Sequence, residues 1–195
     1  MQSNQLQKYP LNEDVINYYM KLAIEQSKIA TEKLEVAVGC VMVKFTNNDQ
    51  DHEIITQSHN KTNQYGNATL HCEINCINQI LDKYGQNYDE NQIFKQITLF
   101  VTCEPCIMCA YSLSLMGIKE VYFGCYNEKF GGNGTVLDLN TANYGANTYP
   151  SYGGFLEEEC QQVLKQFYEK GNLNLDEDKR HRRKKKEDKH ESISS

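Results

Sequence analysis

Strands that alternate with helices after an opening hairpin predict an α/β domain in three layers, α/β/α, around a mixed central sheet. Two observations carry that expectation. The apolar segment EVAVGCVMVKF and the segment HEIITQSHN flank the polar turn TNNDQD, the pattern of a hairpin. Further on, ITLFVTC and IKEVYFGC are short apolar runs separated by one helical stretch, PCIMCAYSLSLMG. The chain of 195 residues is long enough for one such domain with its own core, plus a tail. We place the domain at residues 1–175 and the tail at residues 176–195.

Each element follows from local pattern. The first helix covers NEDVINYYMKLAIEQSKIATEKL, where Val15, Tyr19, Leu22, Ala23, Ala30 and Leu34 form a stripe and Asn12 stands ahead as a cap. EVAVGCVMVKF is β-branched and apolar and reads as a buried strand with Gly39 inside it. TLHCEINCINQILDKYG opens a helix near Thr69 that closes at Gly85, and NYDENQIFKQ reads as a polar loop. ITLFVTC is a strand. PCIMCAYSLSLMG is a helix with Pro105 in its first turn and Gly117 after its end, and IKEVYFGC is a strand again. YNEKFGGNGTVLDLNTANYGANTYPSYGG is rich in Gly and Asn and receives no assignment, whereas GFLEEECQQVLKQFYEKG is a last amphipathic helix. After Leu175 apolar residues almost vanish, the composition of a disordered segment. No internal repeat is visible.

Charge divides the chain. Residues 1–175 hold 12 Lys+Arg against 20 Asp+Glu, a net of −8, while residues 176–195 hold 8 against 6, a net of +2. The bases of the tail are concentrated in KRHRRKKK, residues 179–186. No run approaches the roughly 20 apolar residues needed to span a membrane, and MQSNQLQKYPLNED lacks the apolar core of a signal peptide. The eight cysteines are therefore expected in a reducing compartment, as metal ligands or small buried hydrophobes rather than a disulfide framework.

Three of them fall at even spacing in TCEPCIMC: Cys103, Cys106 and Cys109. His71 and Glu73 stand at the start of one expected helix, Cys106 and Cys109 at the start of another. A helix N-terminus carries partial positive charge, which favours thiolate, the form that binds metal. The spacing of Cys106 and Cys109 puts both sulfurs on one face, and His71 can complete three ligands. Three N/S ligands with an open fourth position is the catalytic pattern for zinc, while four protein ligands make a structural site. Cys103 decides between them. It lies at a strand end, where the chain is extended and its reach is poorer, so it is taken as a buried cysteine. Cys72, expected to point away from the site, and Cys76, a turn deeper on the apolar side, are taken the same way. A structural zinc knot has no use for a carboxylate two residues from its histidine. A hydrolytic zinc has one, because the carboxylate can carry a proton from water to substrate.

HCE and PCIMC together form the H-x-E…P-C-x-x-C signature, and the chain resembles the zinc-dependent nucleobase deaminases that carry it. EVAVGCVMV, HNKTN, NATLHCEINCI, FVTCEPCIMCAYSLSLMGI and VYFGCYNEKFGGNGTVLDL extend the resemblance over residues 12–140. They resemble the tRNA adenosine deaminases, in particular the catalytic subunit of the eukaryotic heterodimeric enzyme that converts the wobble adenosine to inosine. The resemblance implies a cytidine-deaminase-like fold. It implies Zn²⁺ as cofactor, held by His71, Cys106 and Cys109, with Glu73 as proton shuttle. It further implies base contact by Asn60 and a pocket wall that includes Val38 and Gly39. In that mechanism Glu73 moves protons from water to N1 of adenine and then to the departing amine at C6. The target base must first be splayed out of the anticodon stack. Two positions depart from the family pattern: Ala37 replaces a usual proline, and Lys129 stands where arginine is frequent.

The expected partners are tRNA and a second, non-catalytic deaminase-like subunit, with no membrane association. The non-catalytic subunit itself lacks the glutamate that is present here as Glu73. Deaminases of free guanine, cytidine or a pterin precursor share the zinc motif, so the motif alone does not exclude a small-molecule substrate. The basic tail, the FGGNG block and the length of the resemblance favour tRNA. A purely structural Cys₃His zinc module is disfavoured by geometry, since Cys103 reaches the metal poorly. Lys179, Arg180, Arg182, Arg183, Lys184, Lys185 and Lys186 are candidate RNA contacts. The same block has the composition of a nuclear import signal. The expected location is nucleus, cytoplasm or both.

Overall fold

The computed structural model describes residues 9–46, 51–85, 92–142 and 146–169. In chain order the elements are α1 (Glu13–Glu32), β1 (Gly39–Thr46), β2 (Asp51–His59), the single-turn α2 (Thr62–Tyr65), α3 (Cys72–Tyr84), β3 (Ile97–Cys103), α4 (Ile107–Met116), β4 (Glu120–Cys125), β5 (Ser151–Tyr152) and α5 (Glu157–Glu169). The strands form one sheet in the order β2-β1-β3-β4-β5. β1 is antiparallel to both β2 and β3, and β3, β4 and β5 are parallel. This is the expected mixed sheet.

Strand periodicity sorts the core onto the two faces. Cys40 and Met42 of β1, Leu99 and Val101 of β3, and Val121 and Phe123 of β4 pack with Cys76, Ile77, Ile80 and Leu113 of α3 and α4. The alternate residues Val41, Val43, Phe45, Phe100 and Tyr122 pack with Ile16, Tyr19, Met20 and Ala23 of α1 and Cys160 of α5. On that second face Tyr19, Phe100, Tyr122 and Tyr152 stack in a column, with successive ring centroids 4.9, 5.3 and 5.1 Å apart. At Gly39 the chain runs against α1: an added Cβ would lie 2.4 Å from Ser27 N and 2.5 Å from Ala23 O, so only glycine permits the approach.

Because β1 is antiparallel to both its neighbours, β2, β3 and β4 run in the same direction. Their C-terminal ends at His59, Cys103 and Cys125 therefore share one sheet edge, from which the chain leaves toward α3, α4 and the 126–135 loop. That edge is where ligands bind in open α/β sheets.

Several local features differ from the sequence expectation. The helix expected from Thr69 begins at Cys72, since the Asn67 side chain accepts from Thr69 N at 3.0 Å and holds a turn there. Pro105 precedes the α4 cap Cys106 rather than lying in the first turn. NYDENQIFKQ contains a 3-10 turn, Ile93–Gln96, because Ile93 and Phe94 are drawn into the core. β5 and α2 have no counterpart in the sequence expectation. The domain boundary at residue 175 and the basic block 179–186 lie outside the described residues.

Candidate active site

His71 is the N-cap of α3 and Cys106 the N-cap of α4. Both have extended backbone, and neither side chain caps its own helix, which leaves imidazole and thiol available to the space between the two helix starts. Cys109, on the first turn of α4, brings a second sulfur to the same side. Cys106 Sγ lies 3.5 Å and Cys109 Sγ 3.6 Å from His71 Nδ1. The three donor atoms all fall within 4.8 Å of one another.

This donor set fits zinc. Tetrahedral zinc with Zn–S of about 2.3 Å and Zn–N of about 2.0–2.1 Å separates a sulfur from a nitrogen by about 3.6 Å. Both measured separations match. Hydrogen bonds from Cys109 and His71 bring the Cys106 thiol down to about 4 against the opposing effect of burial, so at neutral pH it is the thiolate that binds metal. The hydrogen bond to Cys106 raises His71, and the bond to Cys106 together with burial raises Cys109. Among the described residues this is the one group of three such donors, and Cys103 is not in it. Cys103 instead pairs in register with Cys125 on β4 and interacts with its thiol.

Glu73, one turn-start beyond His71, is almost fully buried in the same cavity. Burial raises its pKa, and the neighbouring Cys106 thiolate adds to the shift. The carboxyl is therefore disposed to hold a proton, as a general acid/base requires. Contrary to the sequence expectation, Cys72 does not point away: its thiol donates to Glu73 Oε2 at 3.1 Å and rests on the Cys40–Cys76 thiol pair, whose sulfurs are 3.5 Å apart.

Asn60 follows the last residue of β2, and its Oδ1 accepts from Cys72 N at 2.9 Å, satisfying an otherwise unpaired amide at the start of α3. Val38 lines the cavity, and its carbonyl accepts from Asn60 N at 3.2 Å. Gly39 does not join Val38 in the cavity wall; the structure puts it against α1, for the steric reason given above.

The cavity has a volume of about 1000 Å³, well beyond what a single purine fills. Its outer wall holds groups that the sequence patterns did not single out, among them the aromatic residues Tyr126, Phe130 and Tyr168. Two buried carboxylates gather the loops around it. Glu35 accepts from Thr62 Oγ1 at 3.0 Å, Asn63 N at 3.0 Å and Gln64 N at 2.7 Å. Glu104 does the same for the loop after β4. The sequence signal for Glu104 is its place inside TCEPC, between Cys103 and Cys106.

Residues 13–125 match the family model described as the cytidine and deoxycytidylate deaminase zinc-binding region. The chain belongs to this zinc-binding deaminase family. Within it, the chain is 37% identical over 168 residues to a Xenopus tropicalis protein called tRNA-specific adenosine deaminase 2, covering 84% of this chain and 94% of that one. It is also 37% identical over 155 residues to the tRNA-specific adenosine deaminase subunit tad2 of Schizosaccharomyces pombe. That match covers 80% of this chain but only 37% of the yeast protein, so the chain spans well under half the length of that relative. A structure solved in a study of A-to-I editing by tRNA deaminases acting at the wobble position superimposes with a TM-score of 0.66 at 28% identity. It covers 75% of this chain and 98% of the other. The deaminase fold and the zinc cofactor of the family are those expected from HCE and PCIMC.

Proposed function

We propose that this chain hydrolytically deaminates adenosine to inosine at the wobble position (34) of tRNA anticodons. The observation that carries the proposal is a buried carboxyl, Glu73, beside a His/Cys/Cys donor set in one cavity, on a chain that matches a protein named tRNA-specific adenosine deaminase 2 over 94% of that protein's length. His71, Cys106 and Cys109 would hold the zinc ion, whose chemistry is to make a water nucleophilic near neutral pH. Glu73 takes a proton from water and delivers it to N1 of adenine as the hydroxyl adds to C6. It then carries the proton of that new C6 hydroxyl to the amine, so the C6–N bond breaks, ammonia leaves and the carbonyl of inosine remains. The raised pKa of Glu73 suits both directions of transfer. The Cys72 thiol fixes Oε2 of that carboxyl, and Asn60 and Val38 border the space where the base would sit.

The chain would act as the catalytic half of a heterodimer with a second, non-catalytic deaminase-like subunit. Ile107, Tyr111 and Leu115 recur along α4 at four-residue spacing and are 37, 37 and 55% exposed, an apolar stripe beyond what the core uses. Val136 and Leu137 are exposed as well. Together they support pairing through this side. The block at residues 179–186 would contact tRNA phosphates and is compatible with import into the nucleus.

Inosine at position 34 of tRNA, measured after incubation with the chain alone and with a candidate partner subunit, tests the reading. Glu73→Gln is the matched control: it should retain zinc and fold yet lose activity by about 10²–10⁴-fold. Conversion of free adenosine or another free base in place of tRNA would support the small-molecule alternative.

A further inference from the structure

Glu104 stands two residues before the metal ligand Cys106 and is 2% exposed. Among the described residues it forms no ion pair. Its carboxylate is instead occupied by backbone amides of one loop. Asn127 N donates to Oε2 at 3.0 Å, and Asn133 N and Thr135 N donate to Oε1 at 3.0 and 3.2 Å. Charge-assisted bonds of this kind are roughly twice as strong as neutral ones, and the low dielectric around a buried carboxylate strengthens them further.

The same loop is stitched to the start of α4 by main-chain bonds, Ile107 N to Phe130 O at 2.8 Å and Gly132 N to Pro105 O at 2.9 Å. Space there is used up. A Cβ on Gly131 would lie 2.5 Å from Glu104 Oε2 and 2.7 Å from Asn127 O. The residues held this way, Asn127, Lys129, Phe130 and Thr135, line the cavity that contains His71 and Glu73.

We propose that Glu104 is a positioning residue for substrate recognition: its buried carboxylate fixes the 127–135 loop as a wall of the active-site cavity. The proposal rests on the deaminase reading above for its substrate but not for its structural mechanism. Only a carboxylate offers acceptors to three N–H groups without presenting a hydrogen of its own. Glutamine has one acceptor oxygen, and its amide would aim N–H groups at backbone N–H groups. The loop also bonds to the main chain beside Cys106. Among the described residues, however, the Glu104 carboxylate itself accepts only from the loop amides and bonds none of His71, Cys106 and Cys109, so its replacement leaves the donor set in place.

The test compares the full chain with Glu104→Gln, Gly131→Ala and the double variant, with the partner subunit present if activity requires it. Glu104→Gln should keep one zinc per chain and a kcat within about threefold of wild type, while KM for a tRNA with adenosine at position 34 rises by about tenfold or more. Gly131→Ala, which keeps the carboxyl group but drives a methyl against Glu104 Oε2 and Asn127 O, should reproduce that split. The double variant should be little worse than either single one, because both act on one contact. Backbone amides of residues 127–135 should exchange with solvent faster in Glu104→Gln while those of α3 do not, a readout independent of substrate.

Loss of zinc, a fall in kcat at unchanged KM, additive effects, unchanged exchange, or failure of both single variants to fold would each overturn the proposal. A wild-type protein that leaves tRNA unmodified while the exchange result holds would count against the substrate reading and not against the role of Glu104.

Discussion

Cys103 and Cys106 are three residues apart, yet the structure gives them different chemistry. Cys106 sits at a helix cap facing His71 across 3.5 Å, and its thiol is depressed to about 4. Cys103 ends β3 beside Cys125, and its thiol is pushed well up, by the interaction with Cys125 first and burial second. Cys106→Ser should therefore lose both zinc and activity, with a loss of stability through metal linkage. Cys103→Val should keep stoichiometric zinc and most activity. Metal analysis of the two purified variants separates the cases, and loss of zinc from Cys103→Val would mean that the site is a closed one with four protein ligands.

At the level of elements, the start of α3 depends on a residue outside the helix. Asn60 Oδ1 is the acceptor for Cys72 N. Asn60→Ala should lower stability by about 1–2 kcal/mol, the cost of leaving a buried amide unpaired, and should lower deamination as well. Asn60→Asp keeps an acceptor oxygen. It should recover stability, measured by urea unfolding, without recovering activity if the amide N–H₂ contacts the base. The neighbouring end of β2 also makes stability depend on pH. His59 is buried with Nε2 unpartnered, and burial first, then Lys33 and Lys61, lower its pKa in the fold. The unfolded chain thus takes up a proton below about pH 6.5 that the native state resists, so stability is lost as pH falls from there toward the folded value. In His59→Gln that part of the acid limb should disappear, seen as a flatter difference curve of Tm against pH relative to wild type.

For the molecule as a whole, charge is the controlling quantity. Residues 1–175 carry a net of −8, from 12 Lys+Arg and 20 Asp+Glu, a poor surface for a polyanion. The seven Lys and Arg in residues 179–186 are the dense basic block of the chain. Deleting residues 176–195 should weaken tRNA binding strongly and leave zinc content unchanged. The slope of log K against log salt should become shallower by roughly 0.7 for each lost contact to single-stranded RNA. Filter-binding titrations of both lengths, with and without the second subunit, measure this. Equal affinities and equal slopes would leave nuclear import as the better explanation of the block.

What the sequence determined by itself was the chemistry that depends on short spacing. Cys106 and Cys109 lie one helical turn apart, and His71 and Glu73 bracket a helix start, so each candidate pair is brought together by local geometry once its helix forms, while the fold brings His71 to within 3.5 and 3.6 Å of the two sulfurs. Strand alternation likewise fixed the layers, because period-two burial sorts Val41 from Met42 whatever the strand order. Tertiary structure alone decided how distant segments use those parts. Cys72 stands between the Glu73 carboxyl and the thiol of Cys40 on β1. Gly39 serves the packing of α1 and not the pocket. Glu104 takes its partners 23, 29 and 31 residues onward. A lone glutamate in sequence looks like a solvated charge. Only the fold, by burying it and bringing backbone N–H groups to both its oxygens, makes it the anchor of a cavity wall.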